Sequence, residues 1–150
     1  MNESTTHRSS LVVTVISVLM VGETITFLLA ALSHMGVQLP PGFSEPRIIP
    51  AAIVEGLCGV FLAVATYGVF VRKTWAWGVA LAAHIFAVAG VLLGITALAL
   101  GLGPSTETNT IYHRVILAVL LIVLVGLSTP GARAVLGPSH RVLQKGEGIV

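Results

Sequence analysis

Apolar residues in this chain form four long runs, separated by short segments that hold most of the prolines and charged residues. A helix that crosses a bilayer needs about 20 predominantly apolar residues. Four runs meet that length, at about 11–32, 49–71, 78–102 and 111–129. The pattern therefore predicts an all-α integral membrane protein, a single four-transmembrane-helix bundle followed by a tail at 130–150.

Proline and glycine separate the predicted helices. The connection at 33–47 carries three prolines, which end helices and favour turns. Pro50 would lie in the first turn of the second helix, where a missing N–H does no harm. Pro130-Gly131 would end the fourth helix. The connection at 72–77 is short and basic, and its two tryptophans suit the headgroup region.

Lysine and arginine are distributed unevenly between the two ends of the predicted bundle. Only Arg47 and Arg114 fall at one end, whereas the other end holds six basic residues: Arg8, Arg72, Lys73, Arg133, Arg141 and Lys145. Because basic residues are enriched on the cytoplasmic side of membrane proteins, we expect the N and C termini and the connection at 72–77 to be cytoplasmic. The connections at 33–47 and 103–110 would face outward from the plasma membrane.

The composition argues against several classes of protein. Hydrophobic residues make up 55% of the chain and charged residues 9%, against about 25% charged residues in a typical soluble domain. The basic residues serve as topology signals, so we expect the lipid bilayer and not nucleic acid as a partner. The single cysteine, Cys58, allows neither an intramolecular disulfide nor a thiolate metal cluster. His84 and His113 are predicted at opposite depths, which disfavours a bis-histidine haem, and we expect no metal and no cofactor.

Glu23 lies about twelve residues into the first run, close to the middle of the bilayer. An ionisable group at that depth costs at least about 2.5 kcal/mol and usually marks a functional site. Thr26 and Phe27 follow at helical spacing, and His34 lies further along the same face. We therefore predict Glu23, Thr26 and Phe27 as substrate-binding residues and Glu23 as a candidate catalytic residue. The alternative is a neutral carboxyl group that is hydrogen-bonded to another helix.

Glu55 lies near the outer end of the second run, at the depth where the fourth run begins with Tyr112-His113-Arg114. Glu55 and His113 are candidate catalytic residues, and all four are candidate substrate-binding residues. The alternatives are that Glu55 pairs with Arg114 or Arg47, and that the Tyr112–Arg114 group anchors the helix at the interface.

Two further features of the third run have structural explanations. His84 stands alone on an apolar helix, which is more typical of a structural histidine than of a functional one. Gly90 and Gly94 form a GxxxG motif, which lets helices approach closely, so a homodimer or larger membrane complex is also expected.

The second run resembles the second helix of the DoxX-like family of small four-helix membrane proteins. The resemblance rests on Glu55, on Gly59 four residues later, and on an apolar run that ends in the basic turn at Arg72. It implies a four-helix membrane bundle, which in some members is an accessory subunit of a quinone-linked oxidoreductase. The first run departs from the family by carrying Glu23 at mid-depth.

These residues together predict an intramembrane pocket that opens outward, with Glu23 at its floor and Glu55, His113 and Arg114 at its mouth. We expect the pocket to bind a lipophilic or cationic small molecule or a quinone, in a binding protein or an accessory subunit.

Three other functions are compatible with the same residues. A cofactor-free isomerase or cyclase would use Glu23 as general acid and Glu55 or His113 as base. A proton-coupled exporter would use Glu23 alone, in the manner of the small multidrug resistance transporters, which the chain resembles in having a glutamate in its first span. In a purely structural subunit, both glutamates would only be paired.

Overall fold

The computed structural model describes residues 3–40, 45–104 and 106–137, with side chains from residue 11 onward. The described residues form five α-helices and no strand: α1 Glu3–His34, α2 Ile49–Phe70, α3 Ala76–Ala99, α4 Glu107–Leu127 and α5 Pro130–Leu136. The four longer helices are each long and apolar enough to cross a membrane. The predicted all-α fold with four membrane-spanning helices is therefore confirmed.

Some predictions concern residues that the structure does not describe. The centre of the proline-rich connection, at 41–44, lies outside the described residues, as does 138–150 with Arg141 and Lys145. The Arg8 side chain is likewise not described.

Helix ends follow local capping chemistry. Pro50 lies in the first turn of α2, as predicted. α4 begins at Glu107, about four residues before the predicted start, because the Thr106 hydroxyl accepts a hydrogen bond from the Asn109 backbone N–H at 3.0 Å. α3 ends at Ala99, and Gly101 then adopts a left-handed conformation with φ of 68°. Apolar content alone does not contain these signals.

The long helices pack in chain order around one core, and α1 also contacts α4. The Ile48 backbone N–H donates to the His34 carbonyl at 3.0 Å, so α2 begins beside the end of α1. We call this the cavity end of the bundle, where α1 and α3 end and where α2 and α4 begin. Met20, Leu62 and Leu120 are fully buried between the helices. Large apolar side chains cover the outside of the bundle, as expected for a surface in contact with lipid.

The predicted tail begins with a helix. α5 packs against α1, α3 and α4, and its first backbone N–H groups are capped by Thr129, whose hydroxyl accepts from Ala132 N at 3.3 Å. Trp77 connects α3 to this region, because its indole N–H donates to the Leu127 carbonyl at 3.0 Å. The Arg133 guanidinium lies 5.0 Å from the centre of the Trp77 ring. Trp77 is thus half-buried and attached to α4, whereas Trp75 is exposed as predicted for an interfacial residue.

The two glycines of the GxxxG motif face different helices of the same chain. A Cβ atom on Gly90 would lie 3.1 Å from Cys58 Sγ in α2, and one on Gly94 would lie 2.5 Å from His113 Nε2 in α4. The motif therefore does bring helices close together, but within this bundle. The predicted homodimer gains no support from it and stays a prediction.

Candidate functional site

The first buried acid, Glu23, is paired with His84. Glu23 Oε2 lies 2.9 Å from His84 Nε2, with the two residues 2% and 0% exposed. The other ring nitrogen, His84 Nδ1, lies 2.7 Å from the Ala80 carbonyl oxygen one turn earlier in α3. Glu23 and His84 thus form a buried dyad between α1 and α3.

The hydrogen bonds fix how many protons the dyad holds. A carbonyl oxygen only accepts, so His84 Nδ1 carries a hydrogen and donates it to Ala80. Nε2 and Oε2 at hydrogen-bond distance must then share one further proton. Either a neutral Glu23 donates to a neutral ring, or an imidazolium donates to a carboxylate. In both cases the dyad has no net charge.

The sequence placed His84 near the inner end of its span and assigned Glu23 no particular partner. The structure pairs the two residues, which agrees with the alternative of a Glu23 carboxyl group hydrogen-bonded to another helix. By residue count, Glu23 is about 18 Å from residue 11 and His84 about 12 Å from Ala76. Two long side chains can bridge the remaining offset of about one helical turn. Depth along the chain does not show which faces of two helices meet.

The second buried acid, Glu55, is paired with His34. Glu55 Oε2 lies 3.7 Å from His34 Nε2, and His34 Nδ1 donates to the Pro46 carbonyl at 3.2 Å. The alternative pairing of Glu55 with Arg114 or Arg47 is not found, since within the described residues Glu55 makes an ion pair only with His34. Arg114 and Arg47 are both exposed.

Glu55 opens onto a cavity of about 260 Å³ at the cavity end, between α2, α3 and α4. We call it the histidine cavity. Its ionisable and amide side chains are His34, Glu55, Asn109 and His113, and the rest of its wall is apolar residues and glycines. The structure therefore brings together two of the predicted site residues, Glu55 and His113.

His113 presents one free nitrogen at this cavity. Its Nδ1 donates to the Asn109 carbonyl at 2.9 Å, and its Nε2 lies against Gly94 in the cavity wall. Within the described residues, Nε2 has no hydrogen-bond partner. Glu55 Oε2 is buried and likewise has no hydrogen-bond partner among them. Two polar groups at the histidine cavity are therefore unsatisfied.

A second cavity, of about 170 Å³, lies between α1 and α4 and contains other predicted residues. Thr26 and Tyr112 line it, and it shares His34 and Asn109 with the histidine cavity. The Tyr112 hydroxyl is buried and has no hydrogen-bond partner in the described part of the chain. We call this the tyrosine cavity.

The remaining predicted site residues lie elsewhere. Glu23 and Phe27 are buried in the core and line neither cavity, so Glu23 does not form the floor beneath Glu55. Arg114 also lines neither cavity. Their placement divides the single predicted pocket into a closed dyad and an open cavity.

The cavity end also holds polar contacts between residues that the sequence did not mark as site residues. Both carboxylate oxygens of Glu45 accept from the Thr106 hydroxyl at 2.9 Å, which joins the first and third connections. The Glu45 backbone N–H also donates to the Ser33 hydroxyl at 3.2 Å. His34 and Asn109 line both cavities but were not predicted as site residues. The sequence signal for them is that each is a polar residue at the end of an apolar helix.

Within the described residues, no group of three or more histidine, cysteine or acidic side chains could hold a metal ion. A scan against protein-family models finds no match, and searches of curated proteins and of solved structures find none either. The resemblance to the DoxX-like family therefore stays a prediction.

Proposed function

We propose that this multi-pass membrane protein binds a small lipophilic molecule in the histidine cavity. The observation that carries the proposal is a largely apolar cavity in which Glu55 Oε2 and His113 Nε2 both lack hydrogen-bond partners within the described part of the chain. An apolar pocket with a few convergent polar groups is the usual form of a ligand site. Buried polar groups without partners are costly, and a ligand that supplies the missing hydrogen bonds would be stabilised there.

The size of the cavity restricts the ligand. A cavity of about 150 Å³ in another protein accommodates benzene, so about 260 Å³ has room for one substituted ring. Among the ligand classes expected from the sequence, a lipophilic ring, an organic cation and a quinone head group all meet this limit. A longer apolar tail would have to extend beyond the cavity.

The charge distribution supports a cytoplasmic-membrane protein with both termini inside and the histidine cavity at the outer end. In that orientation, the ligand would enter from the outer leaflet or the outer solution. A role as an accessory subunit of a larger membrane complex is compatible with this site.

The test is binding to the full-length protein in lipid nanodiscs, with toluene, phenol, 1,4-benzoquinone and benzylammonium as probes. We expect saturable binding of at least one probe. Ala97→Phe should abolish it by filling the cavity, because Ala97 lies in the cavity wall. Ile85→Phe, on the exposed face of the same helix, is the matched control and should bind like the wild type. Absence of saturable binding for all four probes would overturn the proposal.

A second candidate is an acid–base enzyme, because Glu55 and His113 face the same cavity in different surroundings. Glu55 is next to His34, whereas His113 has a free Nε2, and such unlike groups can divide the roles of acid and base. Glu55 would replace Glu23 as the acid in this version. Glu55→Gln should then abolish turnover and leave ligand binding intact. For a proton-coupled exporter we find no supporting contact, since Glu23 lines neither cavity.

A further inference from the structure

The hydrogen-bonding state of His113 limits what the histidine cavity can bind. Because Nδ1 donates to the Asn109 carbonyl, a neutral ring must present Nε2 as an acceptor. His113 is buried and makes no ion pair with an acid among the described residues, so a charged ring would be strongly disfavoured there. The cavity therefore lacks a hydrogen-bond donor at Nε2. A ligand must supply one.

The charge on Glu55 is balanced before any ligand arrives. His34 Nδ1 donates to Pro46, and its Nε2 lies 3.7 Å from Glu55 Oε2, beyond hydrogen-bond distance. Two protonation states leave this pair without net charge: a carboxylate beside an imidazolium, or a neutral carboxyl group beside a neutral ring. The third possibility, a carboxylate facing an imidazole lone pair, would leave an unpaired charge in a buried site. In either state, Glu55 and His34 together carry no net charge.

Among the described residues, no other side chain in the cavity wall can compensate a cation. The other ionisable side chain that lines it is His113, and Asn109 is neutral with both a donor and an acceptor. The Glu45 carboxylate, which accepts from the Thr106 hydroxyl, lies outside the wall. A bound organic cation would thus have no carboxylate of the wall free to pair with it, which is unfavourable in low dielectric. A neutral hydroxyl group meets both conditions, since it supplies a hydrogen-bond donor for His113 Nε2 and carries no charge.

We infer that the ligand of the histidine cavity is a neutral ring that carries a hydroxyl group, which donates its hydrogen bond to His113 Nε2. This inference rests on the proposed function and selects among its ligand classes. It excludes organic cations and rings that have only acceptors.

The decisive comparison uses two probes that differ only in the donor. Phenol and its methyl ether, anisole, are titrated into the full-length protein in lipid nanodiscs, and the Ala97→Phe variant gives the background from partition into lipid. We expect phenol to bind about tenfold more tightly than anisole, the size of one hydrogen bond to a group that is otherwise unsatisfied. Benzylammonium should bind more weakly than phenol.

Each outcome has a defined meaning. Equal binding of phenol and anisole, or tightest binding of benzylammonium, overturns the inference while the cavity remains a binding site. Failure of every probe to bind above the Ala97→Phe background overturns the proposed function as well. Binding of phenol that Ala97→Phe does not weaken also overturns it, because the ligand would then lie elsewhere.

A variant tests the acceptor directly. His113→Leu should remove the preference for phenol over anisole and leave anisole binding in place. Val115→Ala, on the exposed face of the same helix, should keep the preference. If His113→Leu does not fold, the wild-type ¹⁵N spectrum of His113 still decides. Phenol should shift the Nε2 resonance in the direction of an accepted hydrogen bond, and no shift at saturation would overturn the inference.

Discussion

Three buried histidines are oriented in the same way, by a hydrogen bond from Nδ1 to a backbone carbonyl, which leaves Nε2 facing the interior of the bundle. In each ring, Nδ1 donates to a backbone carbonyl: that of Ala80 for His84, of Asn109 for His113 and of Pro46 for His34. A hydrogen bond at one ring nitrogen selects the tautomer and fixes the orientation of the ring. Two of the Nε2 atoms thereby face glutamates, and the third faces the histidine cavity.

These hydrogen bonds predict which ring nitrogen of each histidine carries hydrogen. We expect ¹⁵N NMR of histidine-labelled protein in nanodiscs at neutral pH to show a protonated Nδ1 in all three rings. His113 should also show an unprotonated Nε2. A ring with hydrogen on Nε2 alone would contradict the assigned hydrogen bond for that residue.

The dyad predicts different effects for two substitutions of Glu23. Glu23→Gln keeps the shape and can donate an amide N–H to His84 Nε2, so we expect it to change the free energy of unfolding by less than about 1 kcal/mol. Glu23→Leu leaves the buried Nε2 without a partner and should cost about 1–3 kcal/mol.

A double-mutant cycle completes this test. Glu23→Leu combined with His84→Leu should cost less than the sum of the two single changes, because neither polar group is then left unsatisfied. Reversible unfolding in mixed micelles gives the free energies. Strict additivity would mean that Glu23 and His84 do not stabilise each other.

At the scale of the helix, α3 packs closely against α2 at Gly90 and against α4 at Gly94. Gly94→Ala places a methyl group against the His113 ring, since a Cβ there would lie 2.5 Å from Nε2. We expect a loss of about 1–3 kcal/mol of stability from overpacking, together with weaker binding of phenol. The measurements are unfolding in mixed micelles and titration in nanodiscs.

Gly78→Ala is the matched control on the same helix. A Cβ on Gly78 would meet no atom within 4 Å, and alanine favours a helix over glycine by about 0.5–1 kcal/mol. We therefore expect this variant to be as stable as the wild type or more so, with unchanged binding. Equal effects of the two substitutions would show that propensity and not packing governs α3.

Trp77 links α3 to the end of α4, next to α5, through a side-chain hydrogen bond that composition could not reveal. Trp77→Phe removes the N–H that donates to the Leu127 carbonyl and keeps an aromatic ring beside Arg133. We expect a loss of about 0.5–1.5 kcal/mol and faster amide hydrogen exchange in α5. Trp75→Phe should leave exchange in α5 unchanged, because the Trp75 indole makes no hydrogen bond with the described residues.

At the scale of the whole molecule, the sequence predicted the fold far better than the site. Four apolar runs separated by proline and charge leave few alternatives to four membrane-spanning helices, since unsatisfied backbone is excluded from lipid. α5 was missed because seven residues carry no membrane signal, and its stability comes from packing against α1, α3 and α4.

The site was predicted only in part because residue number gives depth but not helix rotation or tilt. Depth alone placed Glu55 and His113 in one layer, and both line the histidine cavity. The partner of Glu23 depended on which face of α3 turns inward, and that information resides in the packing of all four helices. Hence the sequence does not show that His84 pairs with Glu23, and it assigns Arg114 to a site that Arg114 does not reach.

Orientation is the last property of the whole molecule that the charge pattern predicts, and single-cysteine labelling tests it. The native Cys58 is fully buried, so it should remain unlabelled and provide a silent background. Val37→Cys, in the exposed connection after α1, should react with a membrane-impermeant maleimide on intact cells. Lys73→Cys, at the opposite end of the bundle, should react only after permeabilisation.

Both cysteines lie on exposed residues, so local burial cannot explain a difference between them. The reverse pattern would mean that the histidine cavity faces the cytoplasm and that the positive-inside bias does not govern this chain. The ligand would then have to come from inside the cell. Binding in nanodiscs, where both faces are accessible, would not change, so the labelling decides the side of entry independently of the chemistry at His113.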